Sequence, residues 1–180
     1  MTLLPLVALL AVSAPPSADQ VVRQAQAQAA REGKNVFVKF EASWCRWCRR
    51  LNALLTSDRF GRAFRESYVL APITVREREE KRVLENPGWE ATFRRLRGTA
   101  EKDVPYVVIL DPQGKKLFDS YRPADGEIPG NAGYPQSARE VEAFLDLIRR
   151  TGRAFTAEDR LALRDFLRQG DRTAPSIGTP

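Results

Sequence analysis

Cys45 and Cys48 are the only cysteines in a chain of 180 residues that contains no histidine. The missing histidine removes Ser-His-Asp triads, Cys-His nucleophile pairs and the common histidine-containing zinc sites, and two cysteines cannot complete a four-cysteine zinc site. A chain this long buries a core without covalent staples, so the pair is not needed as a disulfide framework. That shifts it toward thiol chemistry. Two residues between cysteines at a helix N-terminus let both sulfurs meet in a small ring. The first thiol then lies near unbonded backbone N–H groups and the positive end of the helix dipole. These favour the thiolate, which is the attacking species. A thiol of pKa about 8.5 is about 3% ionised at pH 7, whereas one tuned to about 7 is half ionised. The thiolate fraction therefore rises roughly fifteen-fold, offset in part by lower intrinsic nucleophilicity. Arg46, Arg49 and Arg50 add positive charge that acts in the same direction. Trp44, directly before the first cysteine, shields one side of its sulfur, and Trp47 stands between the pair. Two other uses stay open: holding soft Cu(I) or a metal shared with another molecule, and an inert structural link.

The surrounding sequence supplies the junction that this chemistry requires. Residues 35–42 (NVFVKFEA) are β-branched and aromatic and follow Gly33, which predicts a buried strand. A helix is expected to begin near Cys45 and run through Leu51, Leu54 and Leu55 to about Ser57, with a further helical stretch over 58–66. Upstream, 17–31 reads as a helix capped by Ser17 and ended by Gly33. Residues 68–75 (YVLAPITV) form a second strand, in which Pro72 argues for an edge, a bulge or an early end. The charge run 76–82 (REREEKR) reads as a solvated turn or helix start. A short helix over 89–97 ends at Gly98, with Trp89 and Phe93 as core residues. Strands over 106–110 and 115–121 make a hairpin across Asp111-Pro112-Gln113-Gly114, whose residue types suit a type I turn. Residues 122–136 are rich in Pro and Gly and read as an ordered loop, in which Tyr134 and Pro135 pack rather than line a groove. Ser137 caps a helix over 138–150, and Thr156 caps another that reaches Gln169. The order implies an α/β fold with a mixed sheet of about four strands flanked by helices, plus an extra C-terminal helix.

A hydrophobic share of 43% and a charged share of 29% fit one soluble domain with appendages. The net charge of +6 is spread along the chain and interleaved with acids, with no aromatic-studded basic stripe, so no nucleic-acid partner is expected. Thr2 to Val12 is uncharged and mostly apolar, and falls well short of the roughly 20 residues of a membrane-spanning helix. With small residues after it, it has the shape of a signal-peptide core, although no Lys or Arg precedes it. Cleavage would follow Ala14, where Pro15 is unfavourable, or Ala18; an uncleaved anchor is the alternative. The expected layout is an export signal over 1–18, the main domain over 19–150, an additional helix over 151–169 and a disordered tail over 170–180.

The run from Phe37 to Cys48 (FVKFEASWCRWC) resembles the active-site strand and turn of the thioredoxin superfamily. It is most similar to the exported bacterial thioredoxin-like group with a WCxxC active site. Roughly 17–150 follows the family's element order, without a convincing first strand. The resemblance implies a protein-disulfide oxidoreductase in which Cys45 is the nucleophile and Cys48 the resolving thiol, with Trp44, Arg46 and Trp47 in support. It also implies that Val104-Pro105-Tyr106 is the family's cis-proline segment, which docks substrate backbone. Cis bonds are only about 5–6% of X-Pro bonds in general, so the sequence without the family would not predict one here. Two departures matter. Lys39 stands where thioredoxin places a buried carboxylate serving proton transfer, and Glu41, on the same side of the strand, is expected to take over that role beside it. Arg46-Trp47 replaces the Gly-Pro that helps set redox poise. The resulting expectation is a periplasmic or secreted monomer that reduces substrate proteins bearing disulfides or thiols. It would be fed by a membrane electron donor and would need no metal or small-molecule cofactor. A thioredoxin-like adaptor or copper-handling module is the alternative.

Overall fold

The computed structural model describes residues 14–98, 103–122 and 130–169. Residues 1–13 of the expected export signal, 123–129 of the Pro- and Gly-rich loop and the expected disordered tail 170–180 lie outside the described residues. The molecule is organised about β1 (Asn35–Glu41), whose residues Val36 to Phe40 are all buried. It lies inside a four-stranded sheet of order β2-β1-β3-β4, with β2 at Tyr68–Thr74, β3 at Tyr106–Leu110 and β4 at Lys116–Asp119. β1 is parallel to β2 and antiparallel to β3, and β3 is antiparallel to β4, so the sheet is mixed. A parallel pair needs a crossover, here provided by α2 (Arg46–Thr56) and α3 (Gly61–Ser67). β2 is one of the two edge strands, where the missing N–H of Pro72 is tolerated.

Period-two alternation divides β1 between two cores. Val36, Val38 and Phe40 pack with α1 (Ala18–Glu32) and α4 (Trp89–Arg97), including Trp89 and Phe93. Phe37 faces the other layer, with Leu51, Leu54 and Leu55 of α2 and the apolar stripes of α5 (Ala138–Thr151) and α6 (Ala157–Arg168). Two short strands, β5 (Tyr121–Arg122) and β6 (Gly130–Asn131), pair within the Pro- and Gly-rich segment. The expected caps are in place. Ser17, Ser137 and Thr156 each accept an N–H three residues on, and Gly33 ends α1 with φ +63°.

The charge run departs from the sequence expectation. Glu79–Leu84 is a 3₁₀ helix with no buried residue, as a solvated segment should be, but Glu77 ahead of it is buried. Behind it Asn86 ties the segment down. Its Oδ1 accepts the Thr74 N–H at 2.6 Å, and its Nδ2 donates to Pro16 O at 2.9 Å.

Pro16, Ser17 and Ala18, whose side chain has no exposed surface, thus belong to the fold. A chain starting at Asp19 loses the α1 cap and the Pro16 acceptor, together worth about 2 kcal/mol. Its Tm should fall about 4–8 °C below that of a chain starting at Ala14, read by differential scanning calorimetry. Equal Tm values would show that this lead-in contributes nothing.

Candidate active site

The strand–turn–helix junction places the two sulfurs. β1 ends at Glu41, the turn carries Ala42, Ser43 and Trp44, and Cys45 is the N-cap of α2. In most helices a hydroxyl or carboxylate caps the first turn. Here Cys45 Sγ accepts the Cys48 N–H at 3.1 Å. The sulfurs of Cys45 and Cys48 form a disulfide, and both residues sit in a small apolar cluster with Ala42, against Trp47 and Val104. Cys45 Sγ lies 3.6 Å from Val104 O, ahead of a cis Val104–Pro105 bond, so the segment expected from the resemblance is beside the disulfide. Once reduced, Cys45 would have one N–H donor that stabilises its thiolate and one carbonyl within reach of its thiol proton.

Aromatic and cationic side chains frame the pair. Trp44, 37% exposed, donates its indole N–H to Arg76 O at 2.7 Å and has the Arg78 guanidinium 4.7 Å from its ring centre. Trp47 stacks on Tyr134 at 5.8 Å and lies under Arg50 and Arg46, at 4.6 and 5.4 Å. Burial pushes the Tyr134 hydroxyl pKa up and nearby Arg50 pulls it back. Tyr134 packs, as expected, but onto the active-site tryptophan. Tyr106 is the outlier of its segment. Its side chain is fully buried beside Phe40 and Phe93, with its hydroxyl donating to Asp119, which leaves only its backbone to meet a substrate.

Lys39 and Glu41 face α2, and their charged groups are 3.0 Å apart. Asn52, one turn beyond Cys48, joins them. Its Nδ2 donates to Glu41 Oε2 at 2.7 Å, and its Oδ1 accepts a short bond from Lys39 Nζ. Burial pushes the Lys39 pKa down, and Glu41 opposes the shift. Sequence reasoning paired Lys39 with Glu41 but missed Asn52, which was read only as part of a helix. It also missed Glu77, whose two oxygens accept the Ser43 N–H and the Ser43 hydroxyl, each at 2.6 Å. The signal was present. Ala71, Ile73, Val75 and Glu77 are all buried, and the period-two pattern simply continues past the end of β2.

The segment Gly130–Tyr134 backs the site. Asn131 Nδ2 donates to Pro105 O at 2.7 Å, and a Cβ on Gly133 would come within 1.7 Å of that oxygen. Only glycine lets the backbone approach so closely.

The sequence profile described as Thioredoxin-like matches residues 18–112, just over half of the chain. Similar solved structures include a disulphide isomerase from Xylella fastidiosa Temecula1, at 19% identity, covering 63% of this chain and 80% of that one, TM-score 0.48. A thioredoxin from Thermus thermophilus is 19% identical over 71% and 80% of the two chains, TM-score 0.45. The oxidised C-terminal domain of DsbD from Neisseria meningitidis is 13% identical over 77% and 99%, TM-score 0.45. No curated protein matches the chain.

Lys39 offers a pH test of the buried network. Its pKa is lowered in the fold, so the unfolded chain binds that proton more strongly, and stability rises with pH from the lowered pKa up to about 10.5. Tyr68 and Tyr106, whose pKa values burial raises, cost stability above pH about 10 but do so equally in a Lys39 variant. Urea unfolding of the oxidised protein should therefore show wild type gaining on Lys39→Met as pH rises toward 10.5. A difference flat with pH would mean that Lys39 is not desolvated.

Proposed function

The chain belongs to the Thioredoxin-like family, and on that premise we propose that it is a thiol–disulfide oxidoreductase that reduces disulfides of exported client proteins. The observation that carries the reading is Cys45 Sγ at the cap of α2, accepting the Cys48 N–H across a closed disulfide. In the reduced form the Cys45 thiolate attacks one sulfur of a client disulfide. The client S–S bond breaks, its other sulfur leaves as a thiolate, and Cys45 is joined to the client. Cys48, deprotonated, then attacks Cys45 Sγ. This releases the second client thiolate, which takes up a proton, and closes the Cys45–Cys48 disulfide. Two electrons have passed to the client, and a membrane-bound dithiol donor restores the enzyme.

Each supporting residue has a physical task in this scheme. The helix terminus and Arg46, Arg49 and Arg50 stabilise the Cys45 thiolate. Trp44 and Trp47 limit access to the sulfurs, while Val104 and Pro105 offer backbone to an extended client segment. Glu41, paired with Lys39 and bridged by Asn52, accepts the proton that Cys48 must lose, since the network lies under the same face of α2 one turn away. Reduction rather than oxidation is favoured by the plain layout. Between β1 and β2 the described chain carries only α2 and α3, with no added helical domain. Export rests on the apolar segment Thr2–Val12. If the segment is removed, the fold favours the cut after Ala14, because a cut after Ala18 discards the Ser17 cap.

The mixed disulfide is the test. Cys48→Ala removes the resolving thiol, so incubation with an oxidised protein substrate should accumulate a covalent adduct at Cys45, visible by non-reducing electrophoresis and mass spectrometry. Cys45→Ala should accumulate none. Adducts of equal yield from both variants would contradict the assigned roles, and stoichiometric Cu(I) uptake with no adduct would favour a metal-handling module.

A further inference from the structure

The turn that carries Cys45 is held from outside by a distant piece of chain. β2 ends at Thr74, and the next residues fold back against the turn instead of leaving the surface. Arg76 and Glu79 both adopt positive φ, +54° and +50°, a region costly for residues with a Cβ. Between them, Glu77 is 4% exposed and gives both carboxylate oxygens to one residue, Ser43, two positions before Cys45. Arg76 O takes the Trp44 indole N–H. Glu77 is itself fixed, its N–H donating to Glu85 Oε1 at 2.8 Å, while Glu85 Oε2 accepts the Trp89 indole N–H of α4. Two left-handed residues and a buried carboxylate are thus concentrated where the chain meets the redox turn.

The charge has a consequence that hydrogen bonding alone would not. Cations lie against this turn and the helix start: Arg49 Nη1 donates to Ser43 O at 3.0 Å, the Arg78 guanidinium lies over Trp44, and those of Arg46 and Arg50 lie over Trp47. Among the acids, Glu41 is engaged by Lys39 and Asn52, and Asp103 faces Arg97 at 3.8 Å. Glu77 alone of these three is bonded to the turn itself. Through these bonds Glu77 places a negative charge on the turn itself, two residues before Cys45. A negative charge there disfavours a thiolate, against the helix terminus and the arginines.

We propose that Glu77 is a positioning residue of the redox centre, fixing the Ser43–Trp44 turn and, through its charge, limiting the thiolate fraction of Cys45. The proposal deepens the oxidoreductase reading and rests on it for its biological meaning, although the effect on the thiol is measurable without a client. Ultraviolet absorbance of the thiolate, followed against pH in reduced Cys48→Ala protein, titrates Cys45 alone. Glu77→Gln keeps an oxygen for the Ser43 N–H and an amide N–H for its hydroxyl, so it removes the charge with the clamp in place. It should lower the Cys45 pKa by about one unit, which is about tenfold more thiolate below the pKa. Alkylation by iodoacetamide at fixed pH should rise less, about threefold, because nucleophilicity falls with pKa. Glu77→Asp retains the charge and should stay near the parent pKa. A Glu77→Gln pKa within a few tenths of the parent would overturn the charge role, and equal pKa values in all three proteins would reduce Glu77 to a structural clamp. Client trapping by Cys48→Ala with Glu77 intact fails only if the oxidoreductase reading fails, so the two failures are separable.

Discussion

A sulfur atom caps α2, and much of the structure serves that one contact. Cys45 Sγ accepts the Cys48 N–H, so the residue that caps the start of the helix is also bonded to the second cysteine. To hold a soft, weak acceptor where a hydroxyl or carboxylate usually sits, the turn before it must be fixed by other means. β1 brings the chain up from the centre of the sheet, Glu77 and Arg76 grip Ser43 and Trp44, and Val104 closes over the sulfur. The disulfide is therefore held at a helix end by three separate stretches of chain.

The electrostatics around the pair oppose one another. The α2 terminus and its arginines favour a thiolate at Cys45, while the buried carboxylate of Glu77 opposes it. Beneath α2, Lys39 and Glu41 are bridged by Asn52, so a position where the wider thioredoxin pattern has a carboxylate carries an ion pair instead. The Lys39–Glu41 pair satisfies its buried charges with each other, whereas Glu77 is satisfied by the Ser43 hydrogen bonds and, among the described residues, keeps its charge unpaired on the turn.

Local signals were legible in the sequence. Ser17, Ser137 and Thr156 cap their helices as expected, because capping acts over three residues, and Pro72 restricts β2 to an edge, a bulge or an early end, of which the structure takes the edge. The strand–Cys–helix junction was visible for the same reason. What escaped depends on contacts between distant residues. A charge run reads as solvent-facing, and Glu77 with it, although the alternation of Ile73 and Val75 points Glu77 inward. Asn52 and the Trp47–Tyr134 stack have no sequence signature, since each partner looks ordinary until the sheet and loops bring it to the other. The cis bond before Pro105 was reachable only through family resemblance, because nothing local distinguishes it from a trans one.

The central claim, that Cys45 and Cys48 exchange electrons rather than merely staple a turn, is tested most directly by equilibrating the protein in dithiothreitol and glutathione redox buffers. The fraction oxidised is read by mass after acid-quenched alkylation. The account predicts a reversible two-electron midpoint toward the thioredoxin end of the range, about −270 mV, as a reductase requires. A midpoint near about −120 mV would reverse the proposed direction and make the protein an oxidant. A pair that stays closed until potentials below about −300 mV would be a structural disulfide, and would contradict the account outright.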